Sequence, residues 1–425
     1  MSVSRRIVSG SLANSAGIGM NALLQLLSVP VLASVWGVER YGLWMMLTTI
    51  PTYFALTDLG FVQAATSSMT MEIAAGQRQK ALGTFQSASL LIFLICMAAV
   101  GLVGIAAAVI EYGSFGVPFQ HMDVVLLLAL FAALSLVSRM PLAALRASGH
   151  YAIGTISYDF LVLVEGLAAL STAFLGGGFA EVALCQLVMR SLNMVVLYAL
   201  LRRQVSWLRY GFGHASIGDL RRLFKPAIAA MAIPVSLAIN LQGTVLIIGA
   251  VLSPAAVALY TPVRTCSRLL VQIIGVVNRA TMPELSKAFA LADNRQLSGI
   301  IRINSLMIGC VLLPGALLFA FFGKEFVELW SGGHISPSRS FVVLMALATS
   351  VHGAWYFVSN MLLATNSHVS FARFSLGASL FTLLLTFVLC TVIGLDGAAI
   401  ALIAGEALCA VAAVRLFISR HRSAS

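Results

Sequence analysis

Apolar residues run along this chain in long unbroken stretches, without the alternation of a half-buried strand. Stretches of about 20 residues, rich in Leu, Ala, Val and Ile, recur from one end to the other. Each is long enough to cross a bilayer as a helix. Only helices and closed barrels satisfy their backbone groups inside lipid, and barrel strands would alternate with period two. The pattern therefore predicts an all-α polytopic membrane protein. Twelve spans are expected, at roughly 8–35, 41–65, 85–110, 124–146, 151–175, 179–201, 226–251, 255–279, 301–322, 340–363, 371–394 and 397–418. The first apolar run is too long for a cleavable signal peptide, and no small-residue cleavage site follows it, so a span is expected there as well.

Composition agrees: 60% of residues are hydrophobic, 10% are charged and the mean hydropathy is +0.97. A soluble protein carries roughly 25% charged residues. The net charge of +11 would suit nucleic acid, but its distribution points elsewhere. With a cytoplasmic N-terminus, seventeen of the 26 Lys and Arg fall in cytoplasmic segments, and only Arg40, Lys324 and Arg339 fall outside. That bias predicts N-in and C-in topology, with the excess charge meeting anionic headgroups and no nucleic-acid partner. The longest cytoplasmic loop, about 202–225, contains "IGDLRRLFK". Leu220, Leu223 and Phe224 could oppose Arg221 and Arg222 on an interfacial helix, or the segment could be a charged linker. The six cysteines all lie in apolar runs, with no CxxC or Cys/His cluster, so neither a disulfide framework nor a metal site is expected. Phosphate-loop, HExxH and nucleophile-elbow motifs are absent. The expectation is a transporter, without a cofactor, driven by an ion gradient, the membrane potential or consumption of cargo.

Shifting the chain by about 215 residues brings its halves into weak register. "GVERYGLW" meets "SPAAVALY", "AAGQRQKALG" meets "LADNRQLSG", and Gly60 meets Gly275. A parallel repeat follows: a lobe over 1–201, a linker over 202–225 and a lobe over 226–425. Such repeats hold a substrate path between the lobes and work by alternating access.

The stretch "LLSVPVLASVWGVERYGLWMMLTTIPTYFALTDLGFVQA" resembles the opening of Wzx-type polysaccharide flippases. There an apolar helix runs through a Pro into a short "G-x-x-x-YG-x-W" turn (Gly37, Tyr41, Gly42 and Trp44 here) and then a helix with "DLG" (Asp58, Leu59, Gly60). "PLAALRASGHY", with Pro141, Arg146 and Gly149, resembles the family's turn between spans four and five. These flippases share the multidrug/oligosaccharidyl-lipid/polysaccharide (MOP) superfamily with lipid II flippases and MATE multidrug exporters. The resemblance implies a MATE-like fold in the bacterial inner membrane. It also implies a cargo of undecaprenyl-diphosphate-linked oligosaccharide repeat units for O-antigen, lipopolysaccharide or exopolysaccharide synthesis. A monomer is implied, with a polysaccharide polymerase and a chain-length regulator as partners.

Charges inside the spans carry the functional expectations, because each costs at least about 2.5 kcal/mol in the bilayer. Arg264 and Arg268 stand four residues apart on one face, about 15 and 21 Å from Pro254 at 1.5 Å per residue, with Gln272 continuing the face. They are expected to attract a diphosphate or acidic sugar, which suits the bidentate guanidinium; pairing with an intramembrane acid is the alternative. Arg190 and Glu165 lie at similar depth in neighbouring spans, where they could pair or meet cargo. Glu165 continues a stripe with Tyr151 and Tyr158. Asn14, Asn21 and Gln25 on span one, and Ser236, Asn240 and Thr244 on span seven, would line a central cavity or bond between helices. Pro30 and Pro234 would bend those helices. Glu165, Asp159, Glu406 and His352 are candidates for a coupling proton, while Asp58, Gly60, Tyr41 and Gly42 form a structural motif. Competing readings are a MATE-like cation antiporter, which would favour intramembrane acids, and a glycan polymerase or ligase, which would need a large outer loop. A purely structural bilayer protein would have no use for the buried charges.

Overall fold

The computed structural model describes residues 3–57, 60–112, 121–291, 294–364 and 368–424. Among these every regular element is a helix: α1 (Val3–Leu47), α2 (Thr49–Phe54), α3 (Phe61–Ala74), α4 (Arg78–Tyr112), α5 (Met122–Ala147), α6 (Tyr151–Phe174), α7 (Phe179–Gln204), α8 (Ile217–Val251), α9 (Pro254–Ala290), α10 (Asn294–Met307), α11 (Leu313–Trp330), α12 (Arg339–Ala364), α13 (His368–Ile393) and α14 (Leu395–Ala424). A π-helical turn, Ile308–Leu312, joins α10 to α11. Nine helical segments among the described residues are long and apolar enough to cross a membrane. α9 is not one of them, because Arg264 and Arg268 interrupt its apolar run.

The chain packs as two compact units. One comprises Met1–Val35 with Leu47–Met231, the other Trp36–Met46 with Ala232–Ser425. In the first, α5 is central and packs on α2, α3, α4, α6 and α7. In the second, α12 is central and packs on α9, α11, α13 and α14. Shifting α5 by 215 residues lands it on α12, the central helix of the second unit.

Each helix divides its faces by size. On α4 the inward positions Phe85, Ala88, Ile92 and Cys96 recur every three or four residues and are buried. Large apolar side chains, Phe93, Leu94, Met97, Leu102 and Ile105, point outward. A soluble protein would reverse that pattern; a bilayer rewards it, with small residues at helix contacts.

Three local expectations change. The helical dihedrals of α1 break at Gly37 (φ 74°, ψ 169°) and not at Pro30. Residues 41–65 are not one helix: α1 ends, α2 follows, and α3 starts from Gly60 at φ 77°. Only glycine enters that left-handed region without a penalty, which is why this position ends one element and begins another. The second half has no such break, since α9 runs continuously through Gly275. Asp58 and Leu59 lie outside the described residues.

Candidate polar sites within the two units

The "YG" motif residues belong to the second unit. Tyr41 is fully buried, and Trp36 and Trp44 meet edge to face at 5.4 Å. A methyl on Gly42 would stand 1.7 Å from the carbonyl oxygen of Pro254, so the backbone of α1 touches the start of α9. Gly249 meets Met46 in the same way. The motif is a packing device, and glycine is required where two backbones meet.

In the first unit, Arg190 on α7 and Glu165 on α6 form the ion pair their depth suggests, at 2.6 Å, with both side chains about 5% exposed. Asn193 donates to Glu165 Oε2 at 3.0 Å and to the Leu161 carbonyl at 3.1 Å. Tyr158 stands 3.4 Å from Arg190 Nη1, and the guanidinium faces the rings of Phe131 and Tyr158. Among the described residues, Arg190 Nε and Asn193 Oδ1 are buried without a hydrogen-bond partner. The Tyr151–Tyr158–Glu165 stripe divides: Tyr158 and Glu165 join this cluster, while Tyr151 donates to Asn14 Oδ1 at 3.3 Å. Asp159 lies against Gly17 of α1, where a methyl would stand 2.0 Å from its Oδ2. On the same helix Asn21 is exposed and Gln25 half-buried.

The second unit gathers a different set. Along α9, Thr261, Arg264, Thr265, Arg268 and Gln272 form one polar stripe, opposite the buried Val263, Cys266 and Ile274. Arg264 is half-buried; it donates to the Leu241 carbonyl of α8 at 3.0 Å and stands over the ring of Tyr260. Arg268 and Gln272 are exposed. No hydrogen bond or ion pair holds the Arg268 guanidinium among the described residues, although it lies within electrostatic range of Arg264, Glu406 and Tyr356. Two residues expected singly prove to be neighbours: His352 Nδ1 on α12 lies 2.9 Å from Glu406 Oε2 on α14. The Trp355 indole donates to that same oxygen at 2.7 Å, and the His352 ring stacks on Tyr356. Both titratable side chains are about one-fifth exposed. Glycines set these approaches. Gly353, beside His352, lets α12 close on Leu312 and on Ile274 of α9; Gly405, beside Glu406, lets α14 close on Thr382 of α13.

On span seven, Ser236 takes the second of the two alternatives, a bond between helices. Ser236 is buried and bonds Ser375 and Ser379 of α13 at 2.9 Å each, so it knits helices together. Asn240 is half-buried, and Thr244 donates to its carbonyl.

Sequence reasoning missed Glu72. It is buried on α3 and accepts from Ser68, Thr84 and Arg222, the last at 2.6 Å. Its one signal was an acid just before the basic "AAGQRQK" loop. The partner arginine, 150 positions away, is one of the pair read as a solvated face.

Comparison with known proteins places these clusters in context. The family described as Polysaccharide biosynthesis protein matches residues 7–289. No curated protein sequence matches. Among solved structures, an inward-facing multidrug resistance MATE transporter of the MOP superfamily superposes with a TM-score of 0.74 at 13% identity, covering 95% of this chain and 98% of that one. The lipid II flippase MurJ gives 0.67 at 12% identity, covering 97% and 89%. The MATE transporter VcmN of Vibrio cholerae gives 0.58 at 14% identity, covering 98% of each chain. At such identities the likeness establishes the fold, and the family match covers most of the chain. The chain thus belongs to the polysaccharide biosynthesis protein family and has the fold of the MATE transporters and of MurJ.

Proposed function

We propose that the protein flips undecaprenyl-diphosphate-linked oligosaccharide repeat units from the cytoplasmic to the periplasmic leaflet of a bacterial inner membrane. In this reading it has twelve spans, with both termini in the cytoplasm, and acts as a monomer supplying a polysaccharide polymerase and its chain-length regulator. The observation that carries the reading is the basic stripe of α9. Arg268 is exposed there without a bound partner among the described residues, and Arg264 is anchored four residues away. Guanidinium in a membrane segment is tolerated where it meets water, protein or an anion, and its fork fits a diphosphate in two parallel hydrogen bonds. A lipid II flippase among the structural neighbours supports a lipid-linked cargo.

In this reading Arg264, Arg268 and Gln272 bind the diphosphate, and Asn21, Gln25, Asn240 and Tyr158 provide polar contacts for the saccharide. Arg190, paired with Glu165, is a further cavity residue for that cargo. The His352–Glu406 pair carries the coupling proton, because the two side chains touch and are partly reached by solvent; Asp159 is the second proton site. The decisive cellular experiment deletes the gene and follows lipid-linked repeat units. They should accumulate on the cytoplasmic leaflet, and restoring Arg264 and Arg268 variants should not clear them. Unchanged lipid-linked pools and normal surface glycan would reject the proposal. The second reading, a cation antiporter, draws on the MATE neighbours. It predicts resistance to organic cations on overexpression, with Glu406 and Asp159 required and the α9 arginines dispensable.

A further inference from the structure

The loop between α7 and α8, residues 205–216, has no regular structure, yet α4 ties it down. Gln86 donates to the Arg209 carbonyl at 3.2 Å and accepts from the His214 amide at 2.9 Å. Ser87 accepts from the Ser216 amide at 2.9 Å. Trp207 and Tyr210 of this loop pack on the core of the first unit. Phe212 does not: it is 74% exposed, and Ile217, at the start of α8, is 72% exposed. The tethered backbone holds both side chains outward. Beside the loop lies an open groove of about 610 Å³. Gln77, Arg78 and Lys80 form one side of it, where α4 begins, and His214 and Asp219 form the other. The two sides close on each other at Gly83, where a methyl would stand 3.1 Å from the His214 carbonyl oxygen. Arg78 and Lys80 are exposed, and among the described residues no hydrogen bond or ion pair holds their side chains. The carboxylate of the lining is already engaged: Asp219 accepts from Arg222 at 3.0 Å on one oxygen and from Ser216 Oγ at 2.9 Å on the other. The groove therefore offers two cations and an imidazole to an incoming anion.

We propose that this groove binds the phosphate of an acidic phospholipid. Arg78 and Lys80 supply the charge, with the arginine fork suited to two phosphate oxygens, and the His214 ring adds a further hydrogen bond. Phe212 and Ile217 rest against the acyl chains of the same lipid. The position fits. α4 and α7 are long and apolar enough to cross a membrane, and the groove and its loop lie where α4 starts and α7 has ended. The ends of such helices meet the headgroup layer, where basic pockets hold acidic headgroups and exposed apolar side chains enter the acyl boundary. A soluble phosphoester offers the same charge and nothing to Phe212 and Ile217, so the two apolar side chains select the lipid. Every residue of the site belongs to the first unit, and the proposal is independent of the cargo.

The test uses the full-length protein in nanodiscs of phosphatidylcholine, with or without phosphatidylglycerol. Acylation of Lys80 by an uncharged, water-soluble reagent is followed by mass spectrometry, with Lys324 as the internal reference. Phosphatidylglycerol should slow labelling of Lys80 at least fivefold and that of Lys324 less than twofold. Arg78→Gln combined with His214→Gln should remove the protection. Arg302→Gln combined with Arg373→Gln, which deletes two exposed cations of the second unit, should leave it intact. Phe212→Ser should at least halve it, and soluble glycerol phosphate added to phosphatidylcholine nanodiscs should protect less than twofold. Equal slowing of both lysines, or protection that survives Arg78→Gln with His214→Gln, overturns the site. Full protection by glycerol phosphate, or full protection by phosphatidylglycerol in Phe212→Ser, overturns the lipid and leaves a soluble phosphoester as the ligand. The substituted side chains are all exposed, so these variants should fold as wild type does. If Phe212→Ser does not fold, Ile217→Ser takes its place with the same expected result.

Discussion

The Glu165–Arg190 pair allows the sharpest energetic prediction. Both side chains are about 5% exposed, and the pair is closed at 2.6 Å with Asn193 filling the second carboxylate oxygen. Glu165→Gln would leave a buried guanidinium facing two aromatic rings and a tyrosine hydroxyl. Arg190→Met would leave a buried carboxylate with one amide donor. Removing one member of such a pair destabilises by about 3–5 kcal/mol, whereas replacing both is close to neutral. Thermal midpoints move by about 2–4 °C per kcal/mol in bodies of this size, so each single variant should lose roughly 6–20 °C. The double variant should regain most of that loss, because the side-chain amide introduced by Glu165→Gln would still accept from Asn193. Four midpoints measured by tryptophan fluorescence on purified protein give the coupling energy directly. A coupling below about 1 kcal/mol would refute the claim that this pair is a buried, mutually dependent unit.

Other predictions follow from the same contacts. Gly42→Ala places a methyl 1.7 Å from the Pro254 carbonyl and should lower the thermal midpoint and the folded yield more than Gly19→Ala, whose methyl meets nothing within 4 Å. Gly60→Ala forces a left-handed residue with a side chain, at a cost of about 1–2 kcal/mol, readable in the same melt. Glu406→Gln removes the charge that His352 and Trp355 share; flipping driven by an imposed pH gradient should fall at least tenfold, with binding of undecaprenyl diphosphate retained. Normal gradient-driven flipping in that variant would dismiss the coupling role.

How much of this was legible depends on distance along the chain. The helices were, because a bilayer demands apolar runs about 20 residues long whatever they pack against. The interruption of the second span was half legible: Pro51 and Gly60 stood in view, but apolar content alone reads 41–65 as continuous. Arg190 and Glu165 could be matched because their helices are consecutive and short-looped, which fixes relative depth. His352 and Glu406 were each noticed, yet their meeting depends on α12 packing against α14 and on the glycines beside each residue. Glu72 and Arg222 were invisible as a pair: a lone acid near a basic loop looks like solvated charge, and 150 intervening residues hide its partner. At Ser236 cavity lining and a bond between helices both stayed open, since hydroxyls at helical spacing look alike whether they face water or a neighbouring helix.

The central claim is that the arginines of α9 handle an anionic, lipid-linked cargo. The most direct measurement reconstitutes the purified protein in liposomes and follows undecaprenyl-diphosphate-linked oligosaccharide from one leaflet to the other. Wild type should flip it, and Arg264→Ala with Arg268→Ala, folded and inserted normally, should lose at least tenfold in rate. Full flipping by the double variant, or export of organic cations with no movement of the saccharide lipid by wild type, would contradict the account.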